Sequence, residues 1–133
     1  MRSKRWSIAI ATGLMVALIA LPAWSQSRDA DGTRMQARHV EVGTNHSDSL
    51  SPPEDRADWR MIRIGESTDL TLNLTVHGSD VEATLTLTSA TGDRLEQKTA
   101  GGDEATITRS LDAGIYYIAV ESSDALRYTL SIE

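Results

Sequence analysis

The clearest pattern in the chain has a period of two. Leu70, Leu72, Leu74 and Val76 alternate with Thr71, Asn73 and Thr75. Val81, Ala83, Leu85 and Leu87 alternate with Glu82, Thr84, Thr86 and Thr88, and Tyr128, Leu130 and Ile132 with Thr129, Ser131 and Glu133. Successive side chains of a strand point to opposite faces, so strict alternation sets one face on a core and the other in water. A helix would scatter the same side chains around its circumference. Tyr116, Ile118 and Val120 share one face of a further strand, and Tyr117 and Ala119 share the other. Ala105 with Ile107 marks a weaker strand, and Leu95 a weaker one still. Trp59 to Ile64 carries apolar residues on both sides, which predicts either a bulge or a strand covered on both faces.

Turn residues separate these runs. His77-Gly78-Ser79-Asp80, Thr91-Gly92-Asp93, Gly101-Gly102-Asp103, Asp112-Ala113-Gly114 and Ser122-Ser123-Asp124 all read as hairpin connections. Met35 to Val42 predicts an edge strand. Gly43 to Arg56 is rich in Ser, Asp and Asn and holds Pro52 and Pro53, which resist both helix and central strand. It reads as a loop anchored by Leu50. About seven or eight short strands at this spacing predict an all-β fold, an antiparallel jelly-roll-like β-sandwich.

The amino terminus follows another rule. Met1 to Trp6 is basic, Ser7 to Leu21 is apolar, and Ala23 and Ser25 are the small residues that a signal peptidase reads. Residues 1–25 are therefore expected to be a signal peptide, cleaved before Gln26, with no stable membrane anchor afterwards. The apolar run falls short of the roughly 20 residues of a spanning helix. Residues 26–37 read as a flexible polar lead-in, and 38–133 as the folded domain. The expected location is periplasmic or extracellular.

Charge narrows the function. The chain has 13 Lys and Arg against 19 Asp and Glu, a formal charge of −6. Arg2, Lys4 and Arg5 lie in the leader, so the processed chain is more acidic still. That argues against nucleic acid, whose phosphates need clustered cations, and against anionic lipid. There is no cysteine, which excludes disulfides, thiolate metal sites and cysteine nucleophiles.

Several stretches in order resemble one family: Asp58-Trp59-Arg60-Met61-Ile62-Arg63-Ile64, Leu70-Thr71-Leu72, Leu85-Thr86-Leu87 before Gly92, Gly114-Ile115-Tyr116-Tyr117-Ile118-Ala119-Val120, and Tyr128-Thr129-Leu130-Ser131-Ile132. The chain from about residue 38 to 133 resembles the bacterial pre-peptidase C-terminal domain. The Ser-rich segment running into Glu54, Asp55 and Asp58 is similar to that family's lead-in. The resemblance implies a jelly-roll-like sandwich used as a non-catalytic appendage of secreted proteases. Related modules on collagenases bind collagen, and some bind calcium through acidic residues near the lead-in. No protease precedes the domain here, so a free-standing binding module is the expectation. Its partner would be an extracellular or envelope protein or polysaccharide. The alternative is a small periplasmic inhibitor or chaperone-like partner of a separately encoded secreted protease.

Catalytic signatures are scarce. His39, His46 and His77 show no metal-binding spacing, and no Gly-x-Ser-x-Gly turn occurs, so no catalytic residue is nominated and an enzyme is not expected. Asp55, Asp58 and Asp80 are the metal candidates, because calcium takes six to eight oxygens from loop carboxylates and carbonyls. Calcium is the one cofactor considered. Thr71 and Thr75 with Thr84, Thr86 and Thr88 form exposed strand rows that β-propensity alone explains, or else a flat recognition face. Tyr117, out of phase with the core, is the candidate ligand-surface residue, since tyrosine often anchors binding.

Overall fold

In-phase apolar side chains from two sheets make the core. A computed structural model describes residues 31–133. The expected signal peptide and the first residues of the lead-in lie outside them. Nine strands run in order: β1 (Arg38–Val40), β2 (Thr44–Leu50), β3 (Ala57–Ile64), β4 (Thr68–His77), β5 (Glu82–Ser89), β6 (Arg94–Gly101), β7 (Glu104–Leu111), β8 (Gly114–Glu121) and β9 (Leu126–Ile132). One 3-10 turn, Arg34–Gln36, precedes them. Among the described residues no helix is long and apolar enough to cross a membrane.

The strands form a five-stranded sheet, β1-β3-β8-β5-β6, and a four-stranded sheet, β2-β9-β4-β7. All pairings are antiparallel except β1 with β3. The alternating leucines of β4 face those of β5 across the sandwich: Leu70, Leu72, Leu74, Leu85 and Leu87 are all buried. Ile118, Val120, Leu130 and Ile132 complete the middle. The all-β sandwich read from periodicity is the fold of the molecule, with nine strands.

Two local readings change, and a third is decided. Every connection except β5–β6 carries the chain from one sheet to the other. Of the five predicted hairpin turns, only Thr91-Gly92-Asp93 closes a hairpin, with Gly92 at φ +96°. Alternation reports which face of a strand is buried, and is blind to which strand lies beside it. Second, Thr44–Leu50 is a strand and not a loop, paired with β9 along its whole length. Its inward side chains are Thr44, His46, Asp48 and Leu50, so one apolar residue is all that marks its period. Third, β3 pairs with β8 without a break in register and is covered on both faces. Asp58, Arg60, Ile62 and Ile64 point inward, while Trp59 and Met61 lie half-buried on the outer side.

A strap explains that outer cover. The Trp59 N–H donates to the Asp31 carbonyl at 2.7 Å. The chain then arches outward through the 3-10 turn and returns as β1. Arg34 lies 5.4 Å from the Tyr117 ring centroid and donates to the Ala90 carbonyl at 3.2 Å. Beneath this cover Ala119, Thr86 and Thr88 are buried although they face away from the core.

Candidate functional site

At the β1–β2 side of the sandwich the interior turns from hydrocarbon to charge. Arg60 and Asp58 take the next two inward positions of β3 after Ile64 and Ile62. Both are buried, at 1% and 0% exposure. Tyr128 comes from the facing sheet and is also buried. Its hydroxyl donates to the Asp58 carboxylate and accepts from Arg60 Nη1 at 2.9 Å. Arg60 Nη2 reaches Asp48 Oδ2 of β2 at 3.5 Å. The strap adds Asp31, 1% exposed, whose carboxylate meets Arg38 Nη2 of β1 at 2.8 Å. Arg38 also lies 3.7 Å from Asp48.

Three carboxylates thus converge. One oxygen from each of Asp31, Asp48 and Asp58 lies within 4.8 Å of the other two. Among the described residues, the Arg38 and Arg60 guanidiniums face them. The Arg60 Nε makes no hydrogen bond among the described residues. Burial chiefly, and then the Asp58 carboxylate, push the Tyr128 hydroxyl far above its ordinary range, against the opposing pull of Arg60. Tyr128 therefore stays protonated, a donor and not a base. Burial, with Arg60 and Arg38 adding to it, holds the His46 imidazole below its usual value. A buried charge is tolerated only when paired and hydrogen-bonded. This network meets that condition by linking β3 of one sheet to β2 and β9 of the other.

The sequence candidates fall apart in space. Asp58 belongs to the carboxylate group. Asp55 is half-buried in the preceding turn, where its backbone pairs with Ser51 in both directions, at 2.9 and 3.2 Å. Asp80 sits exposed in the β4–β5 connection at φ +61° and is not one of the three converging carboxylates. His39, His46 and His77 lie on β1, β2 and β4. Tyr117 faces outward, half-buried under Arg34. The threonine rows do not make one face: Thr71 and Thr75 belong to the four-stranded sheet, Thr84, Thr86 and Thr88 to the other, and the last two are buried. Sequence reasoning missed Asp31, Asp48 and Arg60. Arg60 carries the one usable signal, since it is in phase with Asp58, Ile62 and Ile64.

The architecture has known counterparts. The chain is similar to the pre-peptidase C-terminal domain of a collagenase from Bacillus anthracis, with a TM-score of 0.65 over 73% of this chain and 94% of that one, at 17% sequence identity. The fold is the pre-peptidase C-terminal fold. A surface-associated copper-binding protein of Methylomicrobium album BG8, CorA, shares it with a TM-score of 0.57, 8% identity, and coverage of 73% of this chain and 98% of that one. No family model and no curated protein matches the sequence. In this pre-peptidase C-terminal fold the strap crosses the outer face of β3, and Asp31 brings its carboxylate to the edge of the core.

Proposed function

We infer that the chain is an exported, non-catalytic binding module that contacts an envelope or extracellular polymer through an outer sheet face. One observation carries this reading. Of the ionisable groups that converge, Asp31, Asp58, Arg60 and Tyr128 are sealed between the sheets at 1% exposure or less, while Asp48 and Arg38 reach the rim. Catalysis needs convergent polar groups in an accessible pocket. Here the buried charges join the two sheets, and the broad outer faces are left for contact. The likeness to a collagenase accessory domain supports the same reading. The test is retention of the purified chain on immobilised envelope polysaccharides, collagen and secreted proteases. Retention without turnover is expected, and empty columns throughout would remove the reading.

Calcium belongs to this proposal. Hard oxygens within 4.8 Å of one another suit an ion that takes its ligands at about 2.3–2.6 Å. Asp31, Asp48 and Asp58 would hold it, and the half-exposed Arg38 would give way. The ion would bridge the three carboxylates and fasten the strap to both sheets. Titration of the metal against melting temperature tests it. A site filled at 100 times its dissociation constant adds about 2.7 kcal/mol, a rise of about 4–8 °C for a domain of this size. Asp31→Asn should abolish the rise. An unchanged melting point in millimolar calcium would retire the ion.

A further inference from the structure

The outer face of the four-stranded sheet is polar throughout, and at one end it hollows into a cavity of about 400 Å³. Its rim is built by strand register. Ser49, Arg127 and His77 stand directly opposite one another on β2, β9 and β4, and Ser47 stands opposite Thr129. Ser47 Oγ and Thr129 Oγ1 are 3.2 Å apart, and Thr129 Oγ1 lies 3.0 Å from His77 Nε2. This gives a row of donors and acceptors across three strands. Asp48 and Tyr128 also line the cavity, while their side chains reach Arg60 between the sheets. Arg127 is exposed and makes no ion pair among the described residues.

Chemistry selects the occupant. The volume lies at the small end of the roughly 300–1,000 Å³ typical of ligand clefts. No tryptophan or exposed aromatic ring lines it, so a neutral sugar would find no stacking surface. No aliphatic wall is present for peptide side chains either. What the cavity offers is a planar guanidinium, the group best matched to a carboxylate, ringed by three hydroxyls and an imidazole at the spacing of adjacent strands. We propose that this cavity binds a hexuronate unit of an acidic polysaccharide, its carboxylate on Arg127 and its ring hydroxyls on Ser47, Ser49, His77 and Thr129. The proposal rests on the binding-module reading and names the ligand class and the face.

The test is calorimetric titration of the whole chain with trigalacturonate, and separately with maltotriose, acetate and an oligoglutamate peptide. Trigalacturonate alone should bind. Arg127→Gln should weaken it at least tenfold and His77→Ala more mildly, with melting temperatures unchanged because both residues are exposed. Arg63→Gln, an exposed arginine on the other sheet, should leave binding intact. Equal loss in the Arg63 variant would show general charge attraction and overturn the site, and so would oligoglutamate binding as tightly, or undiminished binding in Arg127→Gln. If trigalacturonate fails but another polymer is retained, the site falls and the binding module stands. If no polymer is retained, both fall.

Discussion

Four consecutive inward positions of β3 divide into two unlike halves. Ile62 and Ile64 meet hydrocarbon from the facing sheet. Asp58 and Arg60, on the same face of the same strand, meet Tyr128 and Asp48. Backbone geometry does not change between the halves, since the register with β8 is continuous. What changes is the partner: apolar burial on one side, charge-assisted hydrogen bonds on the other. Inward orientation is therefore fixed by strand parity, while the character of the interior is fixed by the strand across the gap.

The difference can be broken most sharply at Arg60. Replacing it with Met leaves Asp58 buried and Tyr128 short of a donor, so a loss of about 3–5 kcal/mol is expected in denaturant unfolding. The triple exchange of Asp58, Arg60 and Tyr128 for apolar residues of similar volume should recover most of that loss, because the unpaired charge goes with its partner. Tyr128→Phe keeps the ring and removes only the bridging hydroxyl. A loss of about 1–3 kcal/mol is expected, measured in the same way. On the apolar half, Ile62→Val removes one methylene and should lower stability by about 0.5–1.5 kcal/mol. If Ile62→Val proved as damaging as Arg60→Met, the two halves would not differ as described.

The smallest effect concerns pH. The folded state holds His46 below its ordinary value of 6.5, so the unfolded chain binds the extra proton more readily. Stability contributed by neutral His46 is present above that value and is lost as pH falls below it. His46→Gln should flatten this part of a stability profile taken between about pH 7 and pH 5. An unchanged slope would place the proton elsewhere.

Parity made the core legible, from Leu70 through Ile132, because alternation is a local signal. The same parity sets Arg60 inward with Ile62 and Ile64, but Trp59 and Met61 on the other face of β3 hid which side was the core. β2 escaped because its inward residues, His46 and Asp48, answer to the charged cluster and not to the core. Asp31 was beyond reach for a different reason. It sits in a polar stretch outside the sandwich, and only the return of the strap onto Trp59 buries it. A buried phenol calls for a hydrogen-bond partner, which flags Tyr128. That partner depends on sheet order, and seven of the eight turns conceal it by crossing between layers.

β9 follows every other described strand in chain order and lies between β2 and β4. β4 can pair with β7 without it, but among the described residues β2 has no other partner in its sheet, and the Gly43 amide needs the Ile132 carbonyl. Completion of the four-stranded layer thus waits for contact between the two ends of the described region. Such non-local closure makes folding slow.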